Sequence, residues 1–178
     1  MNINFKFVLV ALLFGISSTA NAEGVGGYIG AGFGVPSVAY GSSSLAFKMF
    51  GGYKVHQFPI PNAGAIDLAI QGEYVDFGNS SAGNSSWTNS TIGVAAIGSW
   101  IIPKKWAGWA EEKIAVIAKA GGASTSTQSN SGNSYTYTGL THGVGAEYRF
   151  MPMFAARLMI EQYPGAYTVH SISGMFRF

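Results

Sequence analysis

The sequence predicts an all-β fold, namely an eight-stranded antiparallel transmembrane up-and-down β-barrel. Three observations support this prediction: an apolar export-type segment at the start, period-two alternation along the rest, and an unusual composition. Only 10% of the residues are charged and 14% are aromatic, whereas a soluble domain normally carries about 25% charged residues. The chain has no cysteine, which excludes a disulfide framework.

The first 22 residues have the features of a cleaved signal peptide. Lys6 supplies a short positive region, residues 7–16 form an apolar run, and residues 20–22 have the small-x-small pattern of a cleavage site. A helix of that length rises only about 15 Å, half of a hydrocarbon core, which argues against a membrane-spanning helix. We therefore predict that residues 23–178 form one barrel domain in the outer membrane of a Gram-negative cell envelope.

Eight segments alternate between apolar and polar residues and are separated by stretches rich in Gly, Ser and Asn. The predicted strands are residues 25–34, 45–55, 65–77, 91–102, 113–121, 139–150, 154–163 and 168–178. In the seventh, Leu158 and Ile160 share one face while Arg157 and Glu161 share the other. A dry sandwich core would reject charges at mid-strand, so the alternation predicts an apolar lipid-facing side and a wetter, charged lumen.

The first predicted strand is rich in glycine, and its alternation only weakly favours Ile29, Ala31 and Phe33 as the outward-facing residues. The connections alternate in character, as is usual for bacterial barrels. The polar stretches 35–44, 79–90 and 122–133 are predicted surface loops. Residues 56–64, 103–112 and 151–153 are predicted periplasmic turns.

Aromatic residues cluster at the predicted strand ends, which is typical of the two interfacial girdles of a membrane barrel. The predicted periplasmic girdle consists of Tyr53, Trp100, Tyr148, Phe150, Phe176 and Phe178. The predicted outer girdle consists of Tyr40, Trp87, Tyr135, Tyr137, Tyr163 and Tyr167. Ordinary strand propensity of aromatic residues is the alternative explanation for these clusters.

With the strands placed, the chain resembles the small outer-membrane β-barrel family related to the OmpA transmembrane domain, which includes OmpX, Ail and the opacity proteins. The resemblance covers residues 23–178 and rests on the segments YIGAGFG, LAFKMFGGYKV, AIQGEYVDFG, GVGAEYRF and the ending FRF. It implies that the terminal aromatic residue, Phe178, is an assembly signal that the barrel-assembly machinery recognises. None of these segments is a catalytic motif.

The alternation also sends most charged residues inward. The predicted lumen charge network consists of Lys48, Glu73, Lys119, Glu147, Arg149, Arg157 and Glu161, and the same alternation turns Lys54, Asp67, Lys113 and Arg177 inward. An eight-stranded barrel is just wide enough for side chains to fill, so these charges are expected to form a plug of ion pairs. If Phe150 and Phe154 pair across the turn, Glu147 lies directly opposite Arg157.

No catalytic, cofactor or metal site is predicted. His56, His142 and His170 show no metal-ligand spacing. His170 and Ser171 invite comparison with the lipid A deacylases, but adjacent strand residues face opposite ways and the His-x-Ser signature of that family is missing. Three Asn-x-Ser/Thr triplets, at Asn79, Asn84 and Asn89, are interpreted as loop composition without glycans.

The sequence therefore predicts a non-enzymatic integral outer-membrane protein with a plugged lumen and a role in envelope integrity or surface interaction. A narrow, low-conductance, porin-like channel is the alternative, and a lipid A-modifying enzyme is a third, weaker one. The expected partners are outer-membrane lipid and lipopolysaccharide, the barrel-assembly machinery, and host or surface ligands bound through the loops. A formal net charge of only +2 gives no nucleic-acid-binding footprint.

Overall fold

The computed structural model describes residues 26–37, 42–82, 85–107, 113–165 and 167–178. The predicted signal peptide, Tyr40 and Asn84 lie outside these residues. Eight long strands are β1 (Gly27–Ser37), β2 (Ala46–Ile60), β3 (Gly64–Ala82), β4 (Ser85–Ile101), β5 (Ile114–Ser129), β6 (Ser134–Arg149), β7 (Phe154–Tyr163) and β8 (Tyr167–Arg177).

Each strand pairs antiparallel with its sequence neighbours, and β8 pairs with β1. The ring is therefore closed, which leaves no unpaired edge and satisfies the backbone hydrogen bonds within the sheet. This confirms the predicted fold class. A short piece, Ser42–Ser43, pairs with the end of β3, and one helical turn, α1 (Lys104–Ala107), connects β4 to β5. Across the described ranges, no helix is long and apolar enough to cross a membrane.

The two ends of the barrel differ. At the termini end, Gly27 and Phe178 exchange two backbone hydrogen bonds of 2.9 Å, and the connections are the 61–63 turn, the α1 region and residues 150–153. At the opposite end, here called the hairpin end, the β3–β4 and β5–β6 hairpins extend furthest. Their pairing continues to Ala82 opposite Ser85 and to Gln128 opposite Ser134.

The predicted surface loops 79–90 and 122–133 are therefore wrong in large part, because most of these residues belong to strands. The backbone ladder continues beyond the apolar part of each strand, and Thr residues favour extended backbone. The hydroxyls of Thr91 and Thr125 also bond across the ladder at 2.6 Å. Similarly, β2 continues to Ile60, so the predicted turn 56–64 shrinks to residues 61–63.

Outward side chains form an apolar band, as the alternation predicts. Its exposed members include Phe33, Ile70, Val94, Val116, Leu140, Val144, Leu158, Ile160 and Ile172. On β1, Ala31 and Phe33 are exposed and Gly32 is buried, which confirms the predicted orientation of that strand. The Lys and Arg residues of the described strands all point into the barrel, so none lies in the band, where a midplane cation would cost about 2–4 kcal/mol.

The predicted outer girdle needs a correction. Tyr163 and Tyr167 are 2% and 8% exposed and lie inside the barrel, where Phe77 stacks on Tyr167 at 4.8 Å and meets Tyr163 edge-on at 5.7 Å. Tyr163 has the same strand parity as Glu161, so its ring must face inward with that carboxylate. Tyr135 and Tyr137 are exposed at the hairpin end.

The glycines of β1 allow a close approach of β1 to β8. A Cβ on Gly32 would lie 2.1 Å from the Ile172 carbonyl oxygen and 2.6 Å from the Ser173 Cα. Such contacts are with backbone, which cannot swing away as a flexible side chain would. A Cβ on Gly30 would overlap the Phe50 ring at 2.4 Å. The first strand is therefore glycine-rich because the barrel wall and lumen leave no room for side chains there.

Gly32→Ala is expected to destabilise the barrel by about 1–3 kcal/mol, the usual cost of overpacking, because the new methyl group collides with the β8 backbone. Gly174→Ala is the matched control, since a Cβ there meets nothing within 4 Å. Urea unfolding of the two refolded variants measures the difference. Equal unfolding midpoints would contradict this explanation of the β1 glycines.

Candidate functional site

The residues of the predicted charge network all belong to strands and line the lumen. Six of them are at most 4% exposed, and Arg149 is half-buried near the termini end. They separate into two groups along the barrel axis. The central group consists of Lys48, Glu73, Lys119 and Glu161, and we call it the central quartet.

The central quartet joins four strands that are not all neighbours. Lys48 Nζ lies 2.5 Å from Glu161 Oε1 and 3.3 Å from Glu73 Oε2. Lys119 Nζ lies 2.8 Å from Glu161 Oε1 and also donates to Glu73 Oε1. Two cations and two carboxylates therefore alternate around the lumen, and their formal charges cancel. Such an arrangement supplies the partners that buried charges require.

Neutral groups complete the hydrogen bonding of the central quartet. Lys119 donates to the Tyr163 hydroxyl at 3.2 Å, and its ammonium lies 4.7 Å from the centre of that ring. Ser171 donates to Glu161 Oε2 at 3.3 Å, and Gln71 donates to Glu73 Oε2 at 3.2 Å. These contacts surround the quartet with protein donors and acceptors, which replace the hydrogen bonds that water would otherwise supply.

The second group lies nearer the termini end and centres on Glu147. Glu147 is directly opposite Arg157 in the β6–β7 ladder. Arg157 Nη2 donates to Glu147 Oε2 at 2.9 Å, and Arg149 Nε donates to Glu147 Oε1 at 2.9 Å. Arg157 Nη1 also donates to Gln71 Oε1 at 2.9 Å, and Tyr28 donates to the same oxygen at 3.1 Å. Gln71 therefore connects this group to the central quartet.

Two inward rings lie against the cations. The Arg157 guanidinium is 5.2 Å from the Tyr28 ring centre and 5.3 Å from that of Phe50, and the Lys48 ammonium is 5.4 Å from Phe50. Cations at such distances are attracted to the faces of aromatic rings. The sequence interpretation missed Tyr28, Phe50 and Gln71 as partners, although Phe50 has the same strand parity as Lys48.

Three further residues singled out in the sequence, Lys113, Phe178 and His170, belong to neither lumen group. Lys113 lies just before β5 and is exposed, because the strand begins one residue later, so this lysine is not among the buried lumen charges. Phe178 is 48% exposed and its ring lies 6.1 Å from that of Phe176. His170 is exposed on the outer face, whereas Ser171 is buried and bonded to Glu161, so the two side chains point apart.

Chemically, the lumen groups are paired charges rather than reactive ones. The carboxylates of Glu73, Glu147 and Glu161 all accept hydrogen bonds from lysine or arginine. Within the described part of the chain, no cluster of three or more His, Asp or Glu residues could hold a metal ion. The arrangement places mutually neutralising side chains across the centre of the barrel.

No protein-family model matches the sequence, and no curated relative matches it either. Solved structures do match. Neisserial surface protein A (NspA) has a TM-score of 0.60 and 16% identity, over 89% of this chain and 98% of that one. Ail of Yersinia pestis, in complex with the heparin analogue sucrose octasulfate, has a TM-score of 0.53 and 14% identity, over 86% and 97% of the two chains.

A major outer-membrane protein of Thermus thermophilus has a TM-score of 0.52 and 10% identity, over 88% of this chain and all of that one. These identities are low, so the matches concern the fold. The resemblance that the sequence suggested is confirmed at that level: this chain has the fold of the small outer-membrane β-barrels represented by Ail and NspA.

Proposed function

We propose that this chain is a non-enzymatic integral outer-membrane protein whose lumen is closed to ions by its own side chains. The observation that carries the proposal is the central quartet, whose four charged side chains are each at most 4% exposed and bind one another across the barrel. Its physiological role would then be in envelope integrity or surface interaction rather than transport. A narrow porin-like channel is the competing function.

The closed lumen is supported on both sides of the central quartet. Toward the termini end, Arg157 and Glu147 pair beside the Tyr28 and Phe50 rings. Toward the hairpin end, the rings of Phe77, Tyr163 and Tyr167 pack against one another. An eight-stranded ring is only wide enough for such side chains to fill it. An ion crossing this lumen would have to separate paired charges.

Enzymatic activity on lipid A is the weakest alternative. His170 faces the lipid side and Ser171 faces the lumen, so a histidine base cannot reach that serine hydroxyl. Mass spectrometry of lipid A after expression distinguishes this alternative, because an altered acyl pattern would overturn the non-enzymatic proposal.

The lack of charged residues at the hairpin end limits the kinds of surface ligand that it could bind. Residues 24–47, 77–103, 120–146 and 162–176 contain no Asp, Glu, Lys or Arg, and the described strand residues at the hairpin end all lie within these ranges. Ail binds sucrose octasulfate in its complex, but a polyanion would find no Lys or Arg in these stretches. A ligand of the hairpin end would instead be an uncharged one, contacted through Ser, Thr and exposed tyrosines such as Tyr135 and Tyr137.

The proposed closure predicts no steady conductance for the refolded wild-type barrel in planar bilayers. Lys119→Met is expected to open measurable conductance and to destabilise the barrel by about 3 kcal/mol, because Glu73 and Glu161 lose a buried cation. Adding Glu73→Gln restores neutrality and should recover much of both losses. Large wild-type conductance would favour the channel. A double variant that is no more stable and no less conductive than Lys119→Met would contradict direct pairing of Lys119 with Glu73.

The proposed topology places the hairpin end outside the cell and the termini end in the periplasm. An epitope inserted at Ser131, in the β5–β6 turn, is expected to be labelled by antibody on intact cells. The same epitope inserted at Asn62, in the β2–β3 turn, should be labelled only after the outer membrane is permeabilised. The opposite labelling pattern would show that the orientation is reversed.

Phe178 is the proposed assembly signal, and its backbone also closes the β1–β8 seam through two hydrogen bonds to Gly27. Phe178→Ala removes the ring and keeps that backbone. It is expected to lower the yield of heat-modifiable folded barrel in cells several-fold, yet to refold normally in detergent. Phe154→Ala, which removes another exposed ring at the same end, is the control. Equal yields in cells for both variants would contradict the assignment.

A further inference from the structure

The termini end contains a cavity that the closed lumen does not explain. It has a volume of about 300 Å³ and is partly open. The Glu147–Arg157 pair forms part of its lining. Its charged lining consists of Lys54, Asp67, Glu147, Arg149, Arg157 and Arg177. We call this cavity the termini vestibule. Four cations therefore face two side-chain carboxylates, in contrast to the balanced central quartet.

Both carboxylates of the termini vestibule are already occupied. Glu147 accepts hydrogen bonds from Arg149 at one oxygen and from Arg157 at the other. Asp67 accepts from Gln57 at 2.6 Å and from Lys54 at 3.5 Å through Oδ1, while Arg149 Nη2 lies 3.6 Å from Oδ2. Each oxygen of the two carboxylates therefore has a cationic or amide group within 3.6 Å.

Arg177 differs from the other three cations of the vestibule, because no carboxylate of the described residues lies within ion-pair distance of it. It is half-buried on β8, lines the vestibule, and forms no ion pair with any carboxylate of the described residues. A guanidinium offers five donors in a planar fork that matches two oxygens of a carboxylate or phosphate. Lys54 reaches its Asp67 acceptor only at the long distance of 3.5 Å, so it adds a second under-used cation to the same cavity.

We propose that the termini vestibule is a binding site for a small oxyanion, of the phosphate or carboxylate class, taken from solution at the termini end. Arg177 binds two of its oxygens and Lys54 neutralises the remaining charge. The volume is sufficient for a hydrated ion of this size. The site does not depend on the proposed closure, because binding needs access from one end only.

The test uses the refolded full-length barrel in an uncharged detergent at constant ionic strength. Inorganic phosphate and acetate are titrated separately, and the arginine Nε–Hε signals are followed by NMR, with affinity measured by calorimetry. We expect saturable binding with a shift of the Arg177 signal. Tighter binding of phosphate or of acetate identifies which of the two oxyanions the site prefers.

Arg177→Gln is expected to weaken binding at least tenfold, because it removes the charged fork. Lys54→Gln should weaken it several-fold and serves if the first variant folds poorly. Lys105→Gln is the matched control, because Lys105 is exposed on α1 at the same end, with its ammonium over Trp106. Absence of saturable binding, or equal affinity in all three variants, would overturn the site while leaving the conductance prediction untouched.

Discussion

The pairing of buried charges across a narrow ring is the constraint on which the rest of this barrel depends. Each ion taken from water costs several kcal/mol unless partners replace the solvent. Glu161 meets that requirement by binding both Lys48 and Lys119, which lie on β2 and β5. Because a slip of one residue would turn a strand's charges toward lipid, these contacts fix the register of three strands at once.

The glycine-rich first strand follows from the same shortage of space. Tyr28 and Phe50 must enter the lumen to lie against Arg157, so the neighbouring positions on β1 have to be small. Gly30 leaves room for the Phe50 ring, and Gly32 leaves room for the β8 backbone. The cost of glycine in a strand is offset where a side chain would otherwise collide with a ring or a carbonyl group.

Alternation predicted the fold and much of the lumen because lipid and lumen impose opposite polarity on successive residues. The β7 bounds, 154–163, agree with the structure, since Phe154, Leu158 and Ile160 share the outward face and Arg157 and Glu161 share the inward one. The ends of β3 and β5 were not predictable in this way, because both faces are polar beyond the apolar band and alternation disappears. Their extension depends on backbone pairing with the next strand. Backbone hydrogen bonds do not require a particular side chain, so they produce no periodic pattern of apolar and polar residues in the sequence.

The side-chain contacts between strands that are not neighbours also could not be predicted from the sequence. Gln71 on β3 reaches Arg157 on β7, and such a contact depends on how far the strands are staggered around the closed ring. Tyr163 shows a related difficulty, because an aromatic residue near a strand end suits a girdle as well as a lumen. Its parity with Glu161 decides between the two, because residues two apart on a strand point to the same face.

The uneven distribution of charge along the axis is a further consequence of the narrow ring. The hairpin end carries long stretches without Asp, Glu, Lys or Arg, the central quartet is neutral, and the termini vestibule has an excess of cations. Surplus cations are tolerable at the vestibule because water and dissolved anions can screen them there. The same surplus among the fully buried residues of the quartet would have no such screening. Strict neutrality is therefore needed only where solvent is absent, and that is where the cations and carboxylates are equal in number.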